Sequence, residues 1–288
     1  MVIPVKDGAA HLAAVLAAVR GQDEDAELLV IDSGSRDGSQ DIARAAGVRL
    51  HEVPPAAFGH GRTRNEGAEL TEGEVVAFLT QDATPLPGWR DALLAPFAQP
   101  EVGVVSGSQH ARPGAPPMIA RELEWFFEHV EGEDPDYLSN VNAAYRRECW
   151  AEVRFRDLPY AEDQAFARDL AGTRWHKVYA PRAAVLHSHH YGAVAFWRRG
   201  FDEARGLREA TGHVERITPR GTAAGIVRQV RRDARWMGRQ GWPAHRRAYW
   251  LPRSLAAHAG RKGFAWLGSR SERLPRPARR LLSLEGRD

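Results

Sequence analysis

The sequence of 288 residues is poor in cysteine and contains no long apolar run. Because Cys149 is its only cysteine, an internal disulfide is excluded and a reducing compartment is favoured. No apolar stretch approaches the roughly 20 residues of a membrane-spanning helix. No basic segment precedes an apolar one at the N-terminus, so we predict no signal peptide. These absences leave a globular cytoplasmic protein of one large domain or two small ones.

Acidic residues are scarce in the last quarter of the chain. Residues 217–288 hold 17 Lys or Arg against 4 Asp or Glu, whereas residues 1–216 hold 23 against 33. Tryptophans and leucines interleave with the basic residues, which predicts two or three amphipathic helices with turns at Pro243, Pro252 and Pro275. We therefore predict a first domain over residues 1–215 and a basic, amphipathic helical region over residues 216–288.

The first 110 residues alternate between strand-like and helix-like patterns. Apolar runs at VIPV, LLVI, VRLHEV, VVAFL and GVVSG are typical of buried strands, and segments with helical periodicity separate most of them. Strands that alternate with helices of about ten residues predict an α/β fold. Its sheet is expected to be mostly parallel and Rossmann-like, with helices on both faces.

The pattern changes after residue 112. RELEWFFEHVE predicts an amphipathic helix, and NVNAAYRRECWAEV predicts a loop that enters a helix. AEDQAFARDLAG predicts a helix that ends at Gly172, and KVYAPRAAVLHSHHY predicts two short strands around Pro181.

Asp32 and Asp82 each follow an apolar run, and parallel sheets bind ligands at the carboxyl ends of their strands. We therefore expect both carboxylates at one edge of the sheet. Asp82 could hold a divalent cation against a diphosphate, or it could simply form the turn ahead of Pro85. Asp32 could hydrogen-bond a base or a ribose, or else Asp32 or Ser33 caps the next helix.

The segment FGHGRTRN, residues 58–65, brings Arg62 and Arg64 to a predicted helix N-terminus with Thr63 as its cap. Backbone amides at a helix start form, together with guanidinium groups, a natural phosphate site. The alternative is a solvated basic turn.

Two acidic residues and two histidines complete the candidates. Glu162 and Asp163 open a helix, where acidic residues ordinarily balance the helix dipole, but this pair could also supply a general base. Alternation along a strand puts His187 and His189 on one face, at a spacing that can share a metal or phosphate site. The alternative is that these histidines lie on the protein surface and bind no ligand.

The ordered series VIPV, IDSGSRDGS, FGHGRTRNEGA, LTQDATP, SNVNAAYRR, AEDQAFARDL and VLHSHHY resembles bacterial family 2 glycosyltransferases. It is most similar to the rhamnosyltransferase-like branch that works on cell-surface polysaccharides, and the resemblance covers about residues 2–200. HGRTRN with TQDA at this spacing is its most specific part. The resemblance implies a GT-A fold, a nucleotide-sugar donor, a divalent cation and inversion at the anomeric carbon.

The resemblance also implies roles for individual residues. Asp163 matches the family's catalytic base. The donor side comprises Pro4, Asp32, Ser33, Arg64, Asn65, Gln81 and Asp82. The acceptor side comprises Asn142, Trp150 and Glu162. The metal or diphosphate is expected at Asp82, His187 and His189.

Thr80 departs from the family's pattern, because many relatives have the first Asp of an Asp-x-Asp motif at this place. Fewer carboxylates mean weaker cation binding, so we expect Mg²⁺ or Mn²⁺ to enter largely with the donor. A histidine in the missing place would favour Mn²⁺.

The resulting hypothesis is an inverting transfer of a hexose, with L-rhamnose from dTDP-rhamnose preferred, to a hydroxyl of a cell-surface glycan or a lipid-linked saccharide. A sugar nucleotidyltransferase is a first alternative, but VIPVKDGAAHL lacks the Gly-rich basic loop that such an enzyme needs after its first strand. A non-catalytic sugar-binding or scaffold protein is a second alternative, which the missing first Asp favours.

The basic region 217–288 has two readings from its sequence. It could lie on an anionic membrane surface, which would make the protein peripheral on the inner face of the cell membrane, or it could cap the first domain. Nucleic acid is disfavoured because no recognition motif accompanies the charge.

Overall fold

The computed structural model describes residues 1–129, 137–158, 161–188, 192–284 and 286. Their contacts form two compact units, Met1–Pro113 with Glu122–Ser188, and Gly114–Arg121 with His189–Asp288. The charge pattern places a boundary after residue 215, whereas the contacts assign the helix Ala193–Thr211 to the second unit. The physical reason is apolar packing, because Phe196 on that helix is buried against Ala257 of the second unit.

The first unit contains an eight-stranded sheet in the order β3-β2-β1-β4-β7-β6-β8-β5. Its strands are β1 Val2–Val5, β2 Leu29–Asp32, β3 Arg49–Glu52, β4 Val75–Leu79, β5 Thr84–Pro85, β6 Val102–His110, β7 Asn142–Arg146 and β8 His176–Leu186. The pairs β1–β2, β2–β3, β1–β4 and β6–β8 are parallel, and the other three are antiparallel. The predicted α/β fold with a mostly parallel sheet is confirmed.

Helices cover both faces of this sheet. They are α1 Ala9–Arg20, α2 Ser39–Ala45, α3 His60–Glu69, α4 Trp89–Leu94, α5 Pro117–His129, α6 Arg147–Val153 and α7 Glu162–Leu170, with short 3-10 turns at Pro55–Ala57 and Ala95–Ala98. Along β1 the side chains alternate, so that Ile3 packs into one apolar cluster with Leu12 of α1, whereas Val2 packs into a second cluster with Phe166 of α7.

Two strand predictions for this unit were wrong. The segment predicted as a loop forms β7, whose Ala143, Ala144 and Tyr145 are all fully buried, so no alternation of polar and apolar residues marks the strand in the sequence. The two short strands predicted around Pro181 are one strand, β8. The register between β6 and β8 shifts at this point, and the shift accommodates a residue that cannot donate a ladder hydrogen bond.

The second unit is helical, with α8 Ala193–Thr211, α9 Pro219–Arg239, α10 Ala244–Gly268, a 3-10 turn at Ser271–Arg273 and α11 Arg276–Leu282. The turns predicted at Pro243 and Pro275 are confirmed, because each precedes a helix. The turn predicted at Pro252 is wrong, since this proline lies inside α10, where Trp250 and Ala257 on either side of it are held by packing. None of the helices among the described residues is sufficiently long and apolar to cross a membrane.

A buried ion pair lies inside the second unit. The carboxylate of Asp233 is fully buried and accepts hydrogen bonds from Arg121 Nε at 2.5 Å, Ser254 Oγ at 2.5 Å and His258 Nε2 at 2.8 Å. Burial by itself raises the pKa of Asp233, but the hydrogen bonds from His258, Ser254 and Arg121 together lower the pKa below its usual value. This unit therefore pairs its charges where they are taken out of water.

Candidate active site

The candidate site lies at one edge of the sheet. Strands β1, β2, β4, β6 and β8 run in the same direction and end at this edge, and antiparallel β7 begins there. The structure therefore brings Asp32, the last residue of β2, to the same edge as Asp82, which follows β4, and His187, which follows β8. The residues Ser139–Val141, which precede β7, also lie there because Asn142 pairs with Leu79 at the end of β4.

Asp32 has one carboxylate oxygen held by the protein and one without a partner. Its Oδ1 accepts hydrogen bonds from the backbone amides of Gly34 and Ser35, both at 2.9 Å, and from Gln40 Nε2 at 2.8 Å. Its Oδ2 is buried and has no hydrogen-bond partner among the described residues. Burial raises the pKa of Asp32, but the hydrogen bonds from Gln40, Ser35 and Gly34 outweigh this effect and leave the pKa below its usual value. An ionised acceptor with a spare oxygen suits an N–H or O–H donor of a ligand.

Pro4, Ser33 and Gln81 join the ends of neighbouring strands. Pro4 lies in β1 opposite Ile31, and the amide and hydroxyl of Ser33 both donate to the carbonyl of Val5 at 3.0 Å. The side-chain amide of Gln81 accepts from the backbone N–H of Lys6 at 2.7 Å and donates to its carbonyl at 3.0 Å. The Gln81 side chain therefore fixes the turn that carries Asp82 against the end of β1.

Asp82 faces a histidine across a short gap. His187 Nε2 lies 3.5 Å from Asp82 Oδ2, and both side chains are largely buried. His187 Nδ1 lies 2.9 Å from Gln109 Oε1, and Gln109 Nε2 donates to Ser139 Oγ at 3.1 Å. With Nδ1–H donated to Gln109, the lone pair of Nε2 is directed towards Asp82.

This pair fits part of a divalent cation site. A carboxylate oxygen and an imidazole nitrogen 3.5 Å apart could share one cation, and the Gln109 contact fixes the tautomer that a metal-binding histidine needs. No group of three or more His, Cys, Asp or Glu side chains suited to a metal is found in the described part of the chain. His189, the third predicted ligand, lies outside the described residues. Thr80 Oγ1, at the place of the family's first Asp, is buried and lacks a hydrogen-bond partner among the described side chains.

Arg112 reaches the same turn. Its Nη2 donates to the carbonyl of Asp82 at 2.5 Å and to Thr84 Oγ1 at 3.0 Å, and its backbone N–H donates to Ser188 Oγ at 3.0 Å. Its Nε is buried with no partner among the described residues. A guanidinium group with a spare N–H therefore lies beside Asp82, where it adds positive charge to a site that would receive a phosphate.

Asn140 connects the Asp82 side of the edge to Asp163, the predicted base. Its backbone N–H donates to Asp163 Oδ2 at 3.1 Å, and its side-chain amide donates to Glu162 Oε1 at 3.1 Å. Tyr145 donates its hydroxyl to Asn140 Oδ1 at 2.6 Å, which fixes the orientation of that amide. The neighbouring residue, Val141, accepts the backbone N–H of Thr80 at 3.2 Å, so the base and the Asp82 turn meet on adjacent chain segments.

Glu162 and Asp163 occupy different electrostatic environments. Glu162 is buried and forms an ion pair with Arg64, whose Nη1 lies 2.8 Å from Glu162 Oε1. Burial raises the pKa of Glu162, but the positive charges of Arg64 and His60, together with the hydrogen bonds from Asn140 and the backbone, leave the pKa below its usual value. Desolvation, followed by the charge of Glu162, raises the pKa of Asp163 to about 7. One carboxylate is thus held ionised, and its neighbour can exchange a proton near neutral pH.

The backbone just before this pair is strained. Ala161 has φ of 60° and ψ of 36°, a left-handed conformation that is costly for a residue with a Cβ atom. Such strain is tolerated where the surrounding structure fixes the chain, and it is frequent at functional sites.

Arg62 and Arg64 both have carboxylate partners, unlike the free phosphate ligands that the sequence suggests. Arg62 is exposed and lies 2.6 Å from Asp157 Oδ2, whereas Arg64 is buried on Glu162. Thr63 is not the helix cap that the sequence predicts, because α3 begins at His60, three residues earlier. The sequence misses the pairing of Arg64 with Glu162 because the two residues are 98 positions apart.

Three predicted donor or acceptor residues have their polar groups occupied within the fold. Asn65 donates to the carbonyl of Phe155 at 2.8 Å and accepts from Trp150 Nε1 at 3.1 Å. Asn142 accepts from Trp89 Nε1 at 2.8 Å and donates to the carbonyl of Ala183 at 2.7 Å. These contacts give the three side chains a role in packing: Asn65, Trp150 and Asn142.

The sequence reasoning does not identify Gln109, Arg112 and Asn140. Each of the three lies next to an apolar run at the same sheet edge: Gln109 and Arg112 come after one, and Asn140 comes before one. A polar residue beside an apolar run is also the signal that identifies Asp82. The signal is hidden for Asn140 because its strand, β7, is not recognised as a strand.

A mixed sheet whose strand ends carry two acidic residues and a histidine, with a carboxylate pair at the start of α7 hydrogen-bonded to the same edge, defines an α/β protein with a polar ligand site at the carboxyl edge. The sequence model of the family described as Glycosyl transferase family 2 matches residues 1–154, which is more than half of the chain. The chain belongs to the glycosyl transferase family 2.

The chain is also similar to individual named proteins. O-antigen chain rhamnosyltransferase WbaN of Salmonella anatum is 30% identical over 191 residues, which cover 61% of this chain and 61% of WbaN. The chain therefore matches less than two thirds of the length of this relative. The predicted likeness to the rhamnosyltransferase branch of the family is confirmed at this level.

Solved structures share the fold. The mannosyltransferase PcManGT of Pyrobaculum calidifontis, in complex with GDP-Man and Mn²⁺, gives a TM-score of 0.61 at 18% identity and covers 95% of this chain and 87% of its own. Glucosyl-3-phosphoglycerate synthase of Mycobacterium tuberculosis, in complex with Mn²⁺, UDP and phosphoglyceric acid, gives a TM-score of 0.53 at 20% identity. The match covers 72% of this chain and 76% of the synthase chain. The predicted GT-A fold with a helical C-terminal region is confirmed.

Proposed function

We propose that this protein is an inverting glycosyltransferase that moves a hexose from a nucleotide-sugar donor to an acceptor hydroxyl. The observation that carries the proposal is the unequal carboxylate pair. Glu162 Oε1 lies 2.8 Å from Arg64 Nη1, whereas Asp163 forms no ion pair among the described residues and burial beside Glu162 raises its pKa to about 7. A base with a pKa near the working pH is the most effective proton acceptor. Asp32 and Asp82 at the same edge support a site for the nucleotide and its diphosphate.

Asp163 is the proposed general base. It takes the proton of the acceptor hydroxyl while the oxygen forms a bond to the anomeric carbon, and the bond from that carbon to the diphosphate breaks on the opposite face. Inversion follows from this geometry. Asp163 is held for this role by hydrogen bonds from the backbone amides of Asn140 at 3.1 Å and Gln164 at 2.9 Å.

Arg64 is proposed to tune the base through Glu162 and not to contact the diphosphate. By keeping Glu162 ionised, it places a fixed negative charge beside Asp163, and that charge contributes to the raised pKa of Asp163. Arg64 is therefore a positioning residue.

The donor is proposed to bind along the strand ends. Asp32 would accept a hydrogen bond from the base or ribose through its unpartnered Oδ2, with Pro4 beside it. Asp82 and His187, with His189, would hold Mg²⁺ or Mn²⁺. When bound, such a cation neutralises charge on the leaving diphosphate. Arg112 is proposed to add a second positive charge there. The solved structures named above contain Mn²⁺ with GDP-Man or with UDP, which supports this arrangement.

L-Rhamnose from dTDP-rhamnose is the donor that we propose, because the WbaN relative is an O-antigen chain rhamnosyltransferase. The same relative supports a hydroxyl of a cell-surface glycan or a lipid-linked saccharide as the acceptor. We further propose that the protein works in the cytoplasm, peripherally on an anionic membrane surface that residues 217–288 meet.

The experiment that tests the proposal is release of nucleoside diphosphate from a panel of nucleotide sugars, with and without acceptor glycans. Asp163→Asn should lower the rate by about 10²- to 10⁴-fold, the usual contribution of a general base, and should leave donor binding measured by calorimetry intact. Asp169→Asn changes a half-buried, ion-paired carboxylate of the same helix and is the matched control. A near wild-type rate for Asp163→Asn would exclude Asp163 as the general base.

The same assay separates the alternatives. A sugar nucleotidyltransferase would form product only from a sugar phosphate and a nucleoside triphosphate. A scaffold protein would bind a nucleotide sugar and release nothing under any condition.

A further inference from the structure

The start of the basic region is rich in one residue type. Residues 217–253 contain nine arginines, no lysine and a single acidic residue, Asp233. Asp233 is fully buried on Arg121 and Ser254. All nine arginines are exposed: Arg220, Arg228, Arg231, Arg232, Arg235, Arg239, Arg246, Arg247 and Arg253. The surface of this segment is therefore positive throughout.

Five of these arginines form one face of helix α9, which we call the arginine face: Arg228, Arg231, Arg232, Arg235 and Arg239. Their spacing places them within about 100° of the helix circumference at 3.6 residues per turn. The opposite side carries Asp233, Trp236 and Met237, which are buried. The apolar side of α9 is thus occupied by the fold, and the arginine face is directed to solvent.

No carboxylate partner is found for the arginine face among the described residues, whereas several exposed arginines of the first unit have one. Arg44 pairs with Glu52 at 3.1 Å and Arg156 pairs with Asp169 at 2.5 Å. Within α9, like charges three or four residues apart repel one another, which weakens the helix. Among the described residues no ion pair offsets this repulsion, so an external anion is the natural complement of the arginine face.

The beginning of α10 extends the arginine face. A methyl group placed on Gly238 of α9 would lie 3.8 Å from Arg247 Nη1. Arg246 lies over the ring of Trp242 at 3.7 Å, and Arg253 lies over the half-exposed ring of Tyr249 at 3.5 Å. Aromatic side chains under guanidinium groups combine apolar area with charge at a single surface.

We propose that the arginine face, with Trp242 and Tyr249, binds the phosphate groups of an anionic lipid surface. Guanidinium groups bind phosphate oxygens in pairs. Exposed Val227, which precedes Arg228 on α9, can enter the headgroup region, whereas a nucleic acid would leave this residue in water. This inference deepens the proposed peripheral association and rests on it, but it does not depend on glycosyl transfer.

The test is flotation of the full-length chain, without donor, on phosphatidylcholine vesicles and on vesicles with about a third phosphatidylglycerol. Each basic residue near an anionic surface contributes about fivefold to binding, so Arg228→Gln, Arg232→Gln and Arg235→Gln together should weaken binding about a hundredfold. Added salt should weaken wild-type binding, and neutral vesicles should bind neither protein.

A matched control removes the same charge elsewhere. Arg44→Gln, Arg156→Gln and Arg174→Gln change three exposed, ion-paired arginines of the first unit and should retain vesicle binding. Equal binding by the α9 variant and the wild type would overturn the arginine face while leaving peripheral association intact. Absence of wild-type binding to anionic vesicles would overturn both. If duplex DNA at a matched phosphate concentration releases the protein from the vesicles and binds it more tightly, the partner of the arginine face is nucleic acid and the lipid proposal is overturned.

Discussion

Arginine is used in opposite ways at the candidate active site and on helix α9. Arg64 is buried and pairs with Glu162 at 2.8 Å, and exposed Arg62 pairs with Asp157 at 2.6 Å. The arginine face of α9 has no such partner among the described residues. In the first region positive charge fixes the position and the pKa of the protein's own carboxylates, and in the second it remains available for something outside the chain.

This difference does not arise because the second unit is unable to pair its charges. The second unit buries Asp233 on Arg121, Ser254 and His258, and it pairs Arg199 with Glu203 at 3.1 Å. Exposed arginines without a carboxylate partner among the described residues also occur elsewhere, such as Arg36 and Arg182, but α9 gathers five of them on one helix face. A position where pairing is withheld, in a unit that pairs charges elsewhere, indicates a surface that serves binding and not stability.

Arg64→Met should give the largest effect on stability, because it leaves the carboxylate of Glu162 buried without its cation. Removal of one partner of a buried pair typically costs about 3–5 kcal/mol. We expect urea unfolding at neutral pH to show a loss of this size. Arg44→Met removes an exposed partner of Glu52 and should cost about 0–1 kcal/mol. A loss of equal size in the two variants would contradict the buried pairing.

His187→Ala should weaken Mn²⁺ binding about tenfold or more, measured by calorimetry with a nucleoside diphosphate present. The reason is that His187 Nε2 and Asp82 Oδ2, 3.5 Å apart, supply two of the proposed ligands. His51→Ala is the control, because His51 also faces a carboxylate, Glu66, at 2.7 Å but lies outside the proposed site. Unchanged affinity in His187→Ala would exclude this histidine from the cation site.

Asp163→Asn should change the pH dependence of stability. Folding raises the pKa of Asp163 from 3.8 to about 7, so the folded chain retains a proton that the unfolded chain loses across this interval. Wild-type stability therefore falls as the pH rises through the window, and a side chain that does not titrate is spared this loss. The Tm of the variant relative to wild type should rise by a few degrees from about pH 4 to about pH 8.

The Asp169→Asn variant tests whether this rise belongs to the Asp163 site. Asp169 lies on the same helix but pairs with Arg156 at the surface, so its Tm difference should stay nearly level over the interval. A level difference for Asp163→Asn as well would mean that burial and Glu162 do not shift its titration.

The sequence predicts the parts of this protein that depend on local pattern. Alternating strands and helices give the parallel half of the sheet, and a polar residue after an apolar run places Asp32 and Asp82 at the ligand edge. The strand β7 is missed because Ala143 and Ala144 are buried on both faces, so neither periodicity nor β-propensity marks them. Pro252 is misplaced because tertiary packing holds a helix across a residue that local propensity would exclude.

Pairing across long distances in the chain is the part that the sequence conceals. Glu162 and Arg64 are each identifiable as candidates, but their contact, and hence the role of Arg64, requires the fold. The same holds for Gln109 beside His187, which are 78 residues apart. The arginine face is an intermediate case, because helical spacing predicts the face and only the structure shows that acidic neighbours are absent from it among the described residues.

The smallest predicted effect is on the free energy of unfolding. Loss of arginine charge should raise it on α9 and should not raise it in the first unit. Arg228→Gln, Arg232→Gln and Arg235→Gln together remove like charges at spacings of three and four residues on α9. We expect a gain in the free energy of unfolding of roughly 0.2–0.5 kcal/mol for each repulsive pair removed, measured by urea unfolding at low salt. Added salt should reduce this gain, because exposed charges are screened.

The control for this prediction is the triple change of ion-paired arginines, Arg44, Arg156 and Arg174, to Gln, which should cost at most about 1 kcal/mol for each pair lost and should not stabilise the chain. If the α9 variant is instead less stable than wild type, its arginines make contacts that the fold requires. The helix would then be a structural cap, and the charge contrast between the two regions would no longer point to a partner.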